Sequence, residues 1–323
     1  MSIFSGARFP GLHSSSTPMA SRLASRQMLF ERQRLLLALV EAFRAPVMHT
    51  DFQKFLFLYT REWEAEPSYD FVPYQFGGFS FSSYADKRRL IERDLLADDE
   101  NHWTITDAGR KAILPARELR DRAKRFAARH GSLRGDALIA DQYRRHPYYA
   151  TRSKIVNRVL TSAEDRARVK AAQPTPRGPG VVTIGYEGKS LESYLNQLLQ
   201  DSVTLLCDVR RNPLSRKYGF AKGTLSKACE GIGIRYEHLP ELGIASEERK
   251  DLVTQADYDA LFETYEQETL PRQTEALNRI RLWVTEGERV ALTCYEAQAC
   301  QCHRHCVAGA LEKGGKRKLV SHL

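Results

Sequence analysis

The stretch that decides the fold runs Val181-Val182-Thr183-Ile184-Gly185-Tyr186-Glu187-Gly188, a short apolar run that ends in a polar cluster. The pattern returns twice: Val203 to Cys207 leads into Asp208-Val209-Arg210-Arg211-Asn212-Pro213, and Arg289 to Thr293 leads into Cys294-Tyr295-Glu296. Such runs indicate buried parallel strands, so all three clusters are expected where strands end. Because open α/β sheets bind ligands at that edge, the clusters predict a reaction centre.

Helical segments alternate with these strands and complete an α/β pattern. They are Ser190 to Gln200, Lys222 to Gly231, much of Tyr258 to Glu286, and His303 to Lys313, which leads into Leu319 to His322. Ile234 to His238 reads as a further strand. The order predicts a Rossmann-like domain with a mostly parallel sheet. The Pro- and Gly-rich stretch from Pro174 to Gly180 marks its start, so the domain is placed at residues 174–323.

The preceding part predicts a mainly α, winged-helix-like domain at residues 31–115. Three helices are expected, Glu31 to Arg44, Thr50 to Trp63 with Thr50 as its cap, and Phe81 to Leu96, followed by a turn, the β-prone Trp103-Thr104-Ile105 and another helix from Thr106 or Asp107. The loop between the second and third helices is expected to pack its aromatic residues as core. The third helix would face a DNA groove with Lys87, Arg88 and Arg89; the alternative is a docking or dimerisation module.

The net charge of +9 is concentrated in a predicted helical connector at residues 116–173. Between Arg117 and Lys170 there are 15 Lys or Arg against 6 Asp or Glu. Arginine-rich surface beside tyrosines is typical of a protein that follows a polyanion. Arg144, Arg145 and Arg152 are therefore expected to contact nucleic acid, most plausibly DNA, although a long solvated helix has the same composition.

Residues 1–30 are rich in Ser and Arg and lack acidic side chains, which is typical of a disordered tail or an organellar transit peptide. No apolar run approaches the roughly 20 residues of a membrane span, so no membrane partner is expected. Six cysteines, four of them between Cys294 and Cys306, do not resemble the framework of a secreted disulfide protein. These features favour the cytoplasm.

The second half of the chain resembles the DUF488 family, a domain of unknown function. The resemblance lies in Thr183 to Gly188, Asp208-Val209-Arg210, Pro213-Leu214-Ser215, His238 to Gly243 and Cys302-His303-Arg304. It spans essentially Val181 to Leu323 and implies the α/β fold and the position of the site, without a settled reaction. Longer members that carry an amino-terminal winged helix resemble this chain in Tyr148 to Ser153 and Phe71 to Gly77, and some look like antiviral enzymes that excise modified bases from DNA.

The candidate catalytic residues are two carboxylates at strand ends. Asp208 would activate water or stabilise positive charge on a sugar as a base leaves, and Glu187 would assist as a second acid or base. A basic loop after a carboxylate suits a nucleotide, and Asp208 could instead only cap the loop and pair with Arg210. The residues expected to bind substrate or phosphate are Tyr186, Arg210, Arg211, Arg216, Lys217, Tyr218, Glu296, His303 and Arg304.

The cysteines and histidines near the carboxyl terminus are not expected to bind a metal. Structural zinc sites take two separated pairs of ligands, whereas Cys300, Cys302, His303, His305 and Cys306 are crowded into seven residues. Thiol chemistry of the rhodanese or phosphatase kind is disfavoured, because the stretch from Cys300 to Arg304 lacks the length of a Cys-x5-Arg loop. No cofactor is therefore expected.

Together these features predict a DNA N-glycosylase that hydrolyses the base-to-sugar bond of a modified base, plausibly in antiviral defence. Duplex substrate would need base flipping. The alternatives are a DNA-binding regulator with a nucleotide-sensing α/β domain, and a phosphodiesterase or nuclease. Nothing in the sequence decides the identity of the base, DNA against RNA, or the oligomeric state.

Overall fold

The computed structural model describes residues 28–99, 101–249, 252–313 and 320–323. The predicted tail at residues 1–30 lies almost wholly outside these ranges. Residues Glu31 to Leu323 form one compact unit, so the domain boundaries proposed near residues 115 and 173 remain predictions. Within the described ranges, no helix combines the length and apolar character of a membrane span.

The carboxyl-terminal part contains a five-stranded sheet in the order β10-β6-β9-β7-β8. Every neighbouring pair is parallel, which confirms the α/β prediction. The strands are β6 (Gly180–Gly185), β7 (Leu205–Asp208), β8 (Arg235–His238), β9 (Arg289–Cys294) and β10 (Val320–His322).

Both faces of the sheet are covered, because successive residues of a strand point to opposite sides. Val181 and Val290 join one apolar core with helices that follow β8 in sequence. Val182 and Ala291 join another core with the helices between β6 and β8. Strands buried on both faces need continuous apolar runs, and this explains the lack of alternation in Val181 to Ile184.

The helices of this layered domain largely follow the prediction. Ser190 accepts a hydrogen bond from the Ser193 amide and caps the first helix. A π turn at Tyr265–Thr269 interrupts the segment expected to be helical from Tyr258 to Glu286. The helices are α9 (Leu191–Gln200), α10 (Lys222–Gly231), α11 (Gln255–Thr264), α12 (Thr274–Thr285) and α13 (Arg304–Lys313), numbered in chain order after the eight below.

The amino-terminal part is mostly helical, with the expected order of helices and a small antiparallel sheet β1-β5-β4. Its elements are α1 (Glu31–Ala42), β1 (Val47–Met48), α2 (His49–Glu62), β2 (Val72–Tyr74), β3 (Gly77–Phe79), α3 (Phe81–Glu92), β4 (Leu96–Asp98), β5 (His102–Ile105) and α4 (Asp107–Ile113). The connector holds α5 (Arg117–His130), α6 (Gly135–Arg145), α7 (Val156–Val159) and α8 (Ala163–Ala171).

Three local expectations in this part are wrong. The stretch read as a loop is a hairpin, in which β2 pairs with β3 and Gly77 takes a φ of 95° that favours glycine. The second helix begins at His49 rather than after Thr50, and no side chain caps it. The expected core assignment also fails for Phe76, which is 43% exposed, whereas Phe71 is fully buried.

The helix α3 lies against α9 through a buried carboxylate. Glu192 accepts hydrogen bonds from the Ser80 hydroxyl at 3.1 Å and from the Ser82 amide at 2.8 Å. On the same side, the Asn196 amide nitrogen donates to the Phe71 carbonyl at 2.7 Å. The amino-terminal module is thus held to the α/β layers by buried polar contacts.

Lys54 of α2 gives the first testable consequence of this packing. It is 2% exposed, and its ammonium donates to the Gly78 carbonyl at 3.1 Å. Burial lowers the pKa of Lys54 to about 7, and the charge of Asp51 opposes this only in part.

We expect Lys54→Met to raise the free energy of unfolding most at or below about pH 7, with a gain that shrinks towards pH 10.5. The reason is that unfolded Lys54 keeps its proton up to about 10.5, whereas folded Lys54 loses it above about 7, so the cost of charging the folded state disappears as pH rises. Urea unfolding at several pH values measures the difference. Lys170→Met, at an exposed lysine, is the control; a gain for Lys54→Met that does not vary with pH would contradict the expectation.

Candidate functional site

The three polar clusters of the sequence meet at the carboxyl edge of the sheet. Gly185 is in register with Cys294, and Asp208 is in register with Thr293 next to it. A cavity of about 340 Å³ opens there. Its lining residues are Tyr186, Arg210, Arg211, Asn212, Leu214, Ser215, Arg216, Ile244, Cys294, Tyr295, Glu296 and His303.

A larger cavity of about 490 Å³ lies elsewhere. It is lined by Thr204 and Gly233, which precede β7 and β8, so it lies at the amino ends of these strands. Because ligands of open α/β sheets bind at the carboxyl ends, the smaller cavity is the better candidate, and we call it the edge pocket.

Asp208 is buried, its carboxylate is hydrogen-bonded within the protein, and it is not among the residues that line the edge pocket; its expected contact with water or a sugar stays a prediction. Its carboxylate accepts two hydrogen bonds from Arg210, from Nε at 2.8 Å and from Nη2 at 2.5 Å. The Tyr236 hydroxyl donates to it at 2.6 Å, and the side chain is 0% exposed. The alternative reading, pairing with Arg210, describes the observed arrangement: Asp208 positions Arg210.

Arg210 in turn fixes residues of the pocket wall through hydrogen bonds. Its Nη1 donates to the Tyr186 hydroxyl and to the Phe220 carbonyl, both at 2.9 Å. Burial alone would lower the pKa of Arg210, but the hydrogen bonds and the charge of Asp208 outweigh burial and leave that pKa raised. Arg210 is therefore a fixed cation at the base of the pocket.

Aromatic rings form one side of the edge pocket. Tyr186 stacks on Phe220 with ring centroids 4.3 Å apart, and Tyr295 meets Tyr186 edge to face at 5.4 Å. Tyr295 remains 45% exposed. Such surfaces stack on flat rings, nucleobases included.

The loop after β7 supplies the exposed positive charge. Arg211 and Arg216 are exposed, and no carboxylate of the described residues lies within ion-pair distance of either. Lys217 and Tyr218 have structural contacts instead: the Lys217 ammonium donates to the Tyr186 carbonyl at 3.0 Å, and the Tyr218 hydroxyl donates to the Phe81 carbonyl at 3.0 Å. Two of the predicted cations are thus placed to meet an anion.

Glu187 directly follows Tyr186 of the edge pocket in the chain and is exposed. Its carboxylate accepts from the Ala297 amide at 2.9 Å, and its charge and a hydrogen bond from Tyr295 raise the pKa of that phenol. A Cβ at Gly185 would lie 1.8 Å from the Glu296 carbonyl oxygen. This glycine therefore makes room for the loop after β9 and not for a ligand.

Arg304 is buried and holds the loop after β9. Its guanidinium donates to the carbonyls of Glu296 at 2.6 Å and Ala297 at 2.9 Å, and it is 1% exposed. The phosphate contact predicted for Arg304 does not fit this position. Glu296 lines the pocket, with its carbonyl rather than its carboxylate bonded to Arg304.

His303 reaches the pocket floor but is not an exposed helix cap. Its Nε2 donates to the Val209 carbonyl at 3.0 Å, so Nδ1 is the nitrogen that faces Cys294 and Cys302. The candidate residues named from the sequence leave out Tyr295, which lines the pocket, and Tyr236 and Phe220, which contact Asp208 and Tyr186. Tyr236 carried one signal, since it lies in the strand beside β7 near the same edge.

The residues predicted to contact DNA have different surroundings. Lys87 is 7% exposed, pairs with Asp98 at 2.6 Å and lies over the Trp103 ring, so a contact with phosphate does not fit its position. Arg88 and Arg89 are exposed on α3, and the charge of Arg88 opposes in part the rise that burial causes in the pKa of Tyr218 of the pocket loop.

In the connector, the two predicted arginines of α6 have acid partners. Arg144 pairs with Asp165 at 2.8 Å, and Arg145 pairs with Glu62 and with Asp141. Arg152 lines the larger cavity, and burial lowers its pKa. DNA contact by these residues remains a prediction.

Residues 190–311 match the family model described as domain of unknown function DUF488. The matched range begins at the cap of α9 and ends in α13, so it covers the edge pocket except for the end of β6. No curated protein matches the chain.

Proposed function

We propose that this protein, which belongs to the DUF488 family through residues 190–311, is an N-glycosylase that hydrolyses the bond between a modified base and its sugar in DNA. Antiviral defence is the role we propose for it. The six unpaired thiols accord with a reducing compartment, and we place the activity in the cytoplasm.

One observation carries the proposal. At the carboxyl edge of the sheet, two exposed arginines without a described acid partner, Arg211 and Arg216, share a pocket with the aromatic rings of Tyr186 and Tyr295. Glu187 follows Tyr186 in the chain and is exposed, and its backbone amide donates to the Tyr295 carbonyl at 2.8 Å, so its carboxylate comes from the same wall. Cations suit phosphate, flat rings suit a base, and a carboxylate suits a sugar that gains positive charge.

The chemistry assigned to these groups is a hydrolysis. The bond from C1′ to the base nitrogen breaks, its electron pair leaves with the base, and a water oxygen bonds to C1′. Glu187 stabilises the cationic sugar and takes the proton that water loses, which passes to the departing base. Arg211 and Arg216 hold the flanking phosphates, while Asp208 acts only by positioning Arg210.

The test is an assay of products. Purified full-length protein is incubated with unmodified and hypermodified DNA, single-stranded and duplex, and small products are identified by mass spectrometry while strands are sized on denaturing gels. Free base with intact strands supports the proposal. Strand scission without free base would indicate phosphodiesterase chemistry in place of the glycosylase reaction. If no DNA yielded any product, the glycosylase proposal would be dropped.

A second candidate, the DNA-binding regulator, is favoured by a specific contact. The pocket loop contacts the helix α3 directly, because the Tyr218 hydroxyl donates to the Phe81 carbonyl at 3.0 Å. Occupation of the pocket could therefore alter α3. Calorimetry separates the candidates, because a sensor binds a nucleotide stoichiometrically and leaves it unconverted.

We expect Arg216→Ala to weaken DNA binding about tenfold at low salt, with a smaller slope of log affinity against log salt than the wild type. The reason is that one phosphate contact and the counterion release tied to it are lost. Fluorescence anisotropy with labelled DNA over a range of salt concentrations measures both. Lys227→Ala on the exposed side of α10 serves as control; equal slopes for the wild type and Arg216→Ala would count against a phosphate contact.

A further inference from the structure

A cluster of two thiols and an imidazole lies at the floor of the edge pocket and has no part in the proposed hydrolysis. Cys294 is the last residue of β9, and Cys302 and His303 come directly before α13. All three are buried, and their ligand atoms lie within 4.8 Å of one another. The fold therefore supplies ligand atoms from two separate segments of the chain, since Cys294 ends β9 while Cys302 and His303 precede α13.

The distances fit a metal ion. Both sulfurs lie close to Nδ1 of His303, Cys294 Sγ at 3.8 Å and Cys302 Sγ at 3.9 Å. With Zn–S bonds of about 2.3 Å and Zn–N bonds of about 2.0 Å, tetrahedral geometry requires S···N separations of roughly 3.5 Å. Shifts of a few tenths of an ångström would bring each sulfur to the separation from Nδ1 that zinc needs, and the two sulfurs lie within 4.8 Å of each other.

The imidazole is already oriented for coordination. The Val209 carbonyl can only accept, so His303 Nε2 carries the proton of that 3.0 Å hydrogen bond and the neutral ring presents the lone pair of Nδ1 to the sulfurs. A backbone carbonyl that holds the other nitrogen is the usual support of a metal-bound histidine. The Tyr265 ring packs edge to face against His303 at 6.0 Å and fixes its plane further.

From these contacts we propose that Cys294, Cys302 and His303 bind one zinc ion. Three protein ligands leave a fourth position of the tetrahedron, and sites of that kind are the catalytic ones. Cys294 and His303 line the edge pocket, so the fourth position faces the space beside Arg210 and Arg211. The inference does not rest on the glycosylase reaction, since the ligands alone define the site.

The experiment measures metal directly. Full-length protein purified without chelators is analysed for zinc per chain by mass spectrometry, then stripped and refilled with Co²⁺, whose thiolate charge-transfer absorption reports sulfur ligands. We expect one ion per chain and a strong charge-transfer band. Cys294→Ser and His303→Gln should each lower the apparent affinity, measured by chelator competition, by at least 100-fold.

The chain offers a matched control in Cys300→Ser, which changes an exposed thiol a few positions away. This variant should retain one ion per chain and the cobalt spectrum. Because refilling is carried out on the wild type, misfolding of a variant does not decide the outcome. The site would be overturned if the wild-type protein took up neither Zn²⁺ nor Co²⁺, or if Cys294 and Cys302 formed a disulfide instead. Loss of the ion in the control variant alone would overturn it as well. These outcomes do not depend on the result of the glycosylase assay.

Discussion

Glu187→Gln is expected to slow base release by about 10²- to 10⁴-fold with little change in DNA affinity, since a group that exchanges a proton in the transition state contributes on that scale. The variant keeps the size of the side chain, and its amide oxygen can still accept from the Ala297 amide, which the carboxylate meets at 2.9 Å. The loop should therefore keep its shape while the charge is lost. Single-turnover rates at saturating enzyme separate the chemical step from binding.

Glu230→Gln provides the matched control, because Glu230 is an exposed carboxylate on α10 bonded only locally to Ser226 at 2.9 Å. It should release base at the wild-type rate. If Glu187→Gln also proceeds at that rate, the carboxylate has no part in the chemistry and the assignment of Glu187 fails. A loss of affinity equal to the loss of rate would instead make Glu187 a binding residue.

The position of the site could be predicted from the sequence because it depends on strand periodicity. Val181 to Ile184 forms a strand buried on both faces, and the register of Gly185 with Cys294 follows from parallel neighbours. Ser190 as a helix cap is a local property, and it was confirmed. The pocket at the carboxyl edge therefore follows from patterns of a few residues.

The roles inside the pocket could not be predicted, since they depend on which side chains meet after folding. Asp208 and Arg304 look like pocket residues in the sequence, yet both are buried. Asp208 is hydrogen-bonded to Arg210 and Tyr236, and Arg304 is hydrogen-bonded to two backbone carbonyls. A buried charge needs a partner. Arg210 is only two residues from Asp208, so this pairing was open to prediction, whereas Tyr236 comes from β8 and the carbonyls bonded to Arg304 come from the loop after β9. Nothing local in the sequence distinguishes these charges from Arg216, which stays exposed.

The surroundings of α3 could not be predicted for the same reason, since they too depend on contacts made after folding. The basic residues of α3 suggested a face directed at DNA. Instead, Lys87 forms an ion pair with Asp98 of β4, and its ammonium lies over the ring of Trp103 of β5. A helical pattern shows which residues share a face, and only the tertiary neighbours determine which face is open. The exposed Arg88 and Arg89 are the part of that prediction that remains to be tested.

Asp208→Asn is expected to lower the free energy of unfolding by about 3–5 kcal/mol, because removal of one partner of a buried ion pair leaves the other charge uncompensated. Arg210 is only 6% exposed and donates to both oxygens of Asp208. The neutral amide keeps an acceptor for one of these hydrogen bonds but loses the charge. Urea unfolding of the full-length protein measures the change.

Asp136→Asn is the matched control, since it breaks the pair of Asp136 with Arg158, whose side chains are 55% and 62% exposed. Exposed pairs contribute roughly 0–1 kcal/mol, so the control should unfold almost as the wild type does. The double variant Asp208→Asn with Arg210→Met should regain part of the loss, because no unpaired guanidinium stays buried. A loss below about 1 kcal/mol for Asp208→Asn would mean that water or Tyr236 compensates Arg210. In that case the carboxylate would be more accessible than its contacts show, and a direct part for Asp208 in the chemistry would return.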